Sequence, residues 1–564
     1  MYLKKTKNKS GRVYLSIMHG YRENGKSKAK TIKGLGYVDE LRRQYNDPVE
    51  HFTQEVIKME AARRARNAPA TIRLSRTKRL SEIEKPRNLG FCALSKIYHS
   101  LKLNTFSLAY QRKINTKYNF NSAMQLLTYN RILYTQSDKN YSVELPRYFE
   151  NFEPLDNNEI KNLPGDFAAV TKPLQAHLDK TITKLLGRNN EFAYLHLSNH
   201  YFDLKHKSSH FGKKDVSENL FARLAFLDDE SLVPISFKVF LDTSMQGKLS
   251  TPEIIEKFHQ QNYKRFIVVT DRNISDSEKL EMALNNADGY IHYLPLAATD
   301  DETSKWALSA SGFSCSKDGC MLKSRLVTRQ IPGNNGAEPK RITEKQVIFY
   351  SKQLALYDTE RKIHAIDHII RINEFLNPSF QGVSKQPEDI VWAQELRTET
   401  EKILSLEDPS LEDDVLRMGN SATHGFYLLV TSETWKSDMK LKEVFEQHLE
   451  LSRFAKSLSV EKPFYDSAAL STDIMRSQFL INYLAITLLC VLRKTIGCSC
   501  CLFDLIKALQ EANCTHLEDD WWILDKTSDI LETISNKCNF DLTHRYLQKD
   551  DIDKLLSESK KPLC

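Results

Sequence analysis

Apolar and polar positions alternate along residues 12–22, a turn follows at Glu23-Asn24-Gly25-Lys26, and residues 29–35 run back, so the pattern predicts a hairpin ending in Gly34-Leu35-Gly36. After Asp47-Pro48 the period becomes helical and Arg-rich over 55–66, with Arg63, Arg64 and Arg66. A second basic run carries Arg73, Arg76, Lys78 and Arg79. Residues 88–188 keep apolar positions three and four apart, as at Leu94, Ile97, Tyr98 and Leu101, and predict helices. The period then changes. Strands are predicted at 192–197, 220–227, 232–241, 265–270 and 290–294, with a helix over 251–261 before the fourth, opened by Thr251-Pro252-Glu253. Asp228-Asp229-Glu230 reads as a hairpin turn between the second and third strands. Residues 300–430 mix turn-rich strands with a charged helix near 358–375, and helical periodicity dominates from Lys440 onward.

The expected fold is therefore mixed α/β, with these parts in order: a basic N-terminal hairpin module (1–87), a helical domain (88–190), the first part of an α/β core (191–299), a β-rich inserted subdomain (300–430), the core's returning helices (431–500) and a C-terminal helical tail (501–564). Three antiparallel strands, a helix and a further strand is the order of a ribonuclease H-like layer. The longest apolar segment, 479–492, is interrupted by Asn482 and Thr487 and is too short to span a bilayer, so a buried helix and no membrane partner are expected.

Composition changes this picture mainly through charge. The net charge is only +7, but residues 1–90 hold 22 Lys+Arg against 9 Asp+Glu, which leaves 58 against 64 in the rest. A surplus of 13 cations on the N-terminal module above a near-neutral body points to a polyanion, and nucleic acid is the usual one. With 10 Cys among 564 residues and no leader-like start, a reducing, cytoplasmic setting is expected. Cys498, Cys500, Cys501, Cys514 and His516 fit no standard zinc spacing and read as small buried side chains.

The run Phe266-Ile267-Val268-Val269-Thr270-Asp271 ends a buried strand on a carboxylate, where α/β sheets place their ligands. Around it the chain resembles, in order, the DDE transposases of bacterial insertion sequences in the insertion-sequence-four-like superfamily. The likeness is carried by Tyr21-Arg22, Gly25-Lys26 and Leu35-Gly36, by Arg131-Ile132-Leu133-Tyr134 with Ser137 and Lys139, and by residues 193–202 (AYLHLSNHYF). It continues through Pro234-Ile235-Ser236, residues 268–275 (VVTDRNIS), residues 345–361 and Gly425-Phe426-Tyr427 with Thr431.

The resemblance implies a ribonuclease H-like core that binds two Mg2+ on two Asp and one Glu and cuts and rejoins DNA at terminal inverted repeats, as a homo-oligomer in a synaptic complex on the nucleoid. Asp271 matches the second Asp and Arg272 the Arg after it. His196 stands at the first Asp position, and an imidazole suits magnesium poorly. On the late helix Leu449 falls at the Glu position with Glu450 adjacent, while Arg453 and Lys456 match its DNA-contacting cations. The expected catalytic set is thus Asp271, Glu450 and His196, with metal on Asp271 and Glu450. DNA contacts are expected from Arg272, Arg453, Lys456, Arg63, Arg64 and Arg66. With two ligand positions substituted, catalysis is expected to be impaired; the alternative is a decayed DNA-binding remnant.

Overall fold

A computed structural model describes residues 1–563 except 9–10, 24–25, 67–84, 135–147, 154–156, 190, 204–218, 243–250, 259–262, 271–273, 286–287, 295, 297–298, 316–319, 332–337, 352–354, 356–424, 457–471, 498–499, 501 and 518–519. The chain divides into two units, Met1–Lys78 and Arg79–Cys564.

In the first unit the strands β1 (Tyr2–Lys7), β2 (Val13–Glu23) and β3 (Lys26–Tyr37) form an antiparallel sheet in the order β1-β2-β3, followed by the helix Pro48–Arg66. The predicted hairpin is β2 and β3. The strand β1 was not predicted, because Leu3 is the one apolar residue between Tyr2 and Lys7. It forms because the central strand offers Leu15 and Ile17, both fully buried, a partner at Lys5 and Leu3. Phe52 and Val56 of the helix are also buried.

The second unit is built on a nine-stranded sheet. Its strands are β5 (Ala193–Asp203), β6 (Asn219–Asp228), β7 (Pro234–Asp242), β8 (Phe266–Thr270), β9 (Gly289–Leu294), β10 (Ser314–Cys315), β11 (Met321–Ile331), β12 (Lys340–Tyr350) and β13 (Phe426–Thr431). They lie in the order β10-β11-β12-β13-β9-β8-β5-β6-β7. β5, β6 and β7 are antiparallel neighbours, β8 and β9 run parallel to β5, and β13 returns antiparallel to β9. The strands predicted within 300–430 therefore extend the same sheet.

Alternation sorts the two faces. On one, Leu195, Leu197, Val268 and Phe266 pack with Ile254, Ile255 and Met282 from the helices Thr251–Glu256 and Asp276–Asn285. On the other, Tyr194, Ile267, Val269 and Ile291 pack with Leu441, Val444 and Phe445 of the helix Asp438–Lys456. All five residues of β8 are buried, as its unbroken apolar run requires.

The helices Phe91–Ser100, Leu103–Ile114, Phe120–Leu133 and Asn157–Leu186 occupy the stretch read as helical. Phe91–Ser100, Phe120–Leu133 and Asn157–Leu186 gather around Thr472–Ile496, which also meets β7 and the helices Leu502–Glu511 and Asp529–Cys538, while Leu103–Ile114 packs on those three helices. Thr472–Ile496 is the one described helix long and apolar enough to cross a membrane, and 78% of that apolar window is buried inside the protein. Its polar residues have partners here: Arg131 donates from Nε to Asn482 Oδ1 (2.6 Å), and Tyr483 donates to the carbonyl of Ile235 (2.8 Å).

The C-terminal tail is not wholly helical. The strands β14 (Asn513–His516), β15 (Trp521–Leu524) and β16 (Tyr546–Gln548) form a four-stranded sheet with β4 (Arg87–Asn88). Trp522 and Leu524 are buried while Trp521 and Ile523 are only half-buried, an alternation too short to oppose the helical signal around it.

Candidate functional site

β5 enters the sheet between β6 and β8 and presents Tyr194 and His196 on the face that carries the helix Asp438–Lys456. Cross-strand pairing sets Tyr194 opposite Asp228 and His196 opposite Phe226, so all four side chains share that face. His196 is 2% exposed and Asp228 is fully buried. The ring of His448, also fully buried, stacks on His196 with centroids 5.6 Å apart and planes 13° from parallel.

Asp228 Oδ2 lies 3.5 Å from His196 Nε2 and accepts from Gln447 Nε2 at 3.3 Å. Gln447 is fixed in turn by Arg493, whose Nη2 donates to Oε1 at 3.1 Å, and by Cys490 Sγ at 3.3 Å from its amide nitrogen. Among the described residues, both ring nitrogens of His196 and Oδ1 of Asp228 lack a hydrogen-bond partner. Native interiors hold few such groups, so this cluster calls for an explanation.

Burial dictates the charge states. It pushes the His196 pKa well below the ordinary imidazole value, and the neighbouring His448 adds to that push, so His196 is neutral. Burial, reinforced by the negative charge of Asp229, pushes Asp228 up to about 7, against the opposing effects of Gln447, Arg188 and Arg493. Asp229 is a separate anchor: its carboxylate accepts from Ser231 and Val233 backbone N–H groups and from Arg188 Nε (2.9 Å).

The residue on the late helix that meets His196 is His448. Leu449 packs against the Tyr194, Ile267 and Val269 cluster, and Glu450 is half-buried two positions beyond His448. Glu446 is paired with Lys442 at 2.7 Å, and burial pushes its pKa up. Asp271 and Arg272 lie outside the described residues, directly after the last residue of β8, Thr270, which pairs with Leu197 of β5 and His292 of β9. Arg453 and Lys456 end the late helix and Arg63, Arg64 and Arg66 end the helix Pro48–Arg66; their side chains lie outside the described part.

The donors that surround His196 do not fit a magnesium pair. They are two imidazoles, one carboxyl that is half protonated near neutral pH, and an amide held by an arginine; magnesium asks for charged oxygens. Among the described residues no three His, Cys, Asp or Glu side chains stand where they could hold a metal ion. Cys514 is fully buried and its thiol is pushed up to about 12, while Cys498 and Cys501 lie outside the described residues.

Sequence reading selected His196 but missed Asp228, Gln447, His448 and Arg493. Asp228 was legible only as a turn former, and the other three reach the site from helices more than 200 residues away. No curated protein matches the chain. Residues 3–71 match the N-terminal domain of the IS1634 family of transposases, a region that spans nearly all of the three-stranded sheet and the helix Pro48–Arg66.

Proposed function

We propose that the chain is an insertion-sequence transposase of the ribonuclease H-like class whose strand chemistry is impaired. The match of residues 3–71 to a transposase N-terminal domain carries the reading. Two further observations support it. The strand order β7-β6-β5-β8-β9, with three antiparallel strands followed by two parallel ones, is the layer expected of that class. The position expected to hold the first metal carboxylate carries instead a buried, neutral His196.

In this reading the N-terminal unit binds the terminal inverted repeats, and a homo-oligomer assembles them in the bacterial nucleoid. Arg272, Arg453 and Lys456 hold phosphates near the core. Asp271 and Glu450 are the remaining carboxylates for Mg2+, and losing one of three ligands disables two-metal chemistry. The orphaned nitrogens of His196 favour the stronger form, a DNA-binding remnant without strand transfer.

The test is cleavage of a duplex carrying the element's ends, with magnesium. The native chain is expected to cleave nothing and the double variant His196→Asp/Leu449→Glu to cleave at the repeat boundary. Magnesium-dependent cleavage by the native chain refutes the impairment.

A further inference from the structure

Lys436 lies between β13 and the helix Asp438–Lys456, and its ammonium is enclosed by aromatic rings. Nζ stands 4.0 Å from the ring centroids of both Phe192 and Trp435 and 5.3 Å from that of Tyr194. Phe192 meets Tyr194 edge-on at 5.5 Å and Trp435 edge-on at 6.2 Å, so the three rings form one wall. Lys436 is 5% exposed, whereas Trp435 is 64% exposed. Nearby lysines hold carboxylates: Lys345 pairs with Asp438 (2.6 Å), Lys440 with Glu443 (3.1 Å) and Lys442 with Glu446 (2.7 Å). Among the described residues Lys436 has no carboxylate within 4.0 Å, and its Nζ donates to no acceptor. Glu433, three residues before it, is held by Arg265.

This enclosure is mismatched in its hydrogen bonding. An ammonium carries three donors and no acceptor. The Tyr194 hydroxyl, sealed from solvent, also has no partner among the described residues. Ring faces attract a cation but accept no ordinary hydrogen bond, so they do not replace the water that the amine has lost. Burial pushes the Lys436 pKa down to about 8; Glu433 and Glu230 oppose the fall, while Lys440 and Arg265 add to it. Nζ is not among the side-chain atoms closed off from solvent, so a small molecule reaches it beside the exposed Trp435.

The geometry points to Lys436 as an acylation site, whose amine takes an acyl group from a small acyl phosphate within the enclosure of Phe192, Tyr194 and Trp435. The neutral amine attacks the carbonyl carbon. A C–N bond forms, the C–O bond to phosphate breaks, and the surplus proton on nitrogen leaves with the phosphate. The product removes the mismatch: the amide has no charge to desolvate and one N–H in place of three, and its carbonyl oxygen is the acceptor that the Tyr194 hydroxyl lacks. During attack the same hydroxyl donates to the charge developing on that oxygen. The site is independent of the DNA reading, because it lies on the turn before the late helix and uses none of the residues assigned to metal or DNA.

The experiment treats the full chain with acetyl phosphate at about pH 8, stops the reaction early, and measures acetylation at each lysine by peptide mass spectrometry. At that pH about half of the Lys436 amine is neutral, against roughly one part in 300 of an ordinary lysine, and its lower basicity takes back part of the gain. Lys436 is expected to acetylate at least ~10-fold faster than Lys440 and Lys442, and to lose that preference when the chain is unfolded in urea. Tyr194→Phe keeps the ring and removes the hydroxyl, and is expected to slow Lys436 severalfold while Lys440 and Lys442 react as before. Trp435→Ala changes an exposed position, lets water back to the amine, and is expected to reduce the preference as well. Acetylation of Lys436 no faster than that of Lys440 and Lys442 overturns the proposal. So does a preference that survives urea, or one that neither variant changes.

Discussion

Asp228→Asn isolates the electrostatics of the buried cluster. Asp228 ionises at about 7 in the folded protein against an ordinary 3.8. Between those values the folded chain holds a proton that the unfolded chain has released, so stability is greatest below the ordinary value and falls as pH rises toward 7. At about 1.4 kcal/mol per pH unit, the ionised carboxylate costs on the order of 4 kcal/mol above neutrality. Asn keeps the acceptor for Gln447 and turns an amide donor toward His196 Nε2, now 3.5 Å from the carboxylate. The variant should be more stable than the native chain, and its advantage should grow by roughly 2 to 3 kcal/mol from pH 5 to pH 8. The groups facing Asp228, namely His196, Gln447, Asp229, Arg188 and Arg493, are common to both proteins and cancel in the comparison. The assay is hydrogen exchange of the β5 and β6 amides in native and variant chains at both pH values, which reads opening of this layer. An advantage that is equal at pH 5 and pH 8, or a variant less protected at pH 8, refutes the reasoning.

Glu344→Gln should destabilise the layer by about 3–5 kcal/mol, because the buried Lys279 ammonium (2.9 Å) would lose its ion-pair partner, while Arg329 keeps its pair with Asp276 (2.7 Å); chemical denaturation measures it. Burial alone would raise the Glu344 pKa, but Arg329, Lys279 and the Tyr290 hydroxyl hold it down to about 2, so its contribution is present above the ordinary 4.5 and lost as pH falls toward 2. Gly90→Ala should lower the melting temperature through a loss of about 1–3 kcal/mol, since the new Cβ is driven into the Leu509 backbone carbonyl with no flexible side chain to yield.

The strands of the core were legible because their signals are local. An unbroken Phe266-Ile267-Val268-Val269-Thr270 run leaves few alternatives to a buried strand, and Thr251-Pro252 marks a helix start. Strand β1 was hidden by its lysines, which an edge strand tolerates and a pattern search rejects. The site was half legible. His196 stood out through its place in a motif, but its partners come from three other elements, and stacking on His448 or a bond through Gln447 leaves no trace in spacing along the chain.

The helix Thr472–Ile496 is the surface on which the helices Phe91–Ser100, Phe120–Leu133 and Asn157–Leu186 pack. It is completed 310 residues after the last of them, at residue 496 against 186. At ~5–20 residues per second, a ribosome takes roughly 15 to 60 seconds to cover that gap. Throughout it, the early helices lack the apolar surface that Thr472–Ile496 presents to them, so a message cut short before that point yields chains fated for chaperones or proteolysis rather than a shorter working product.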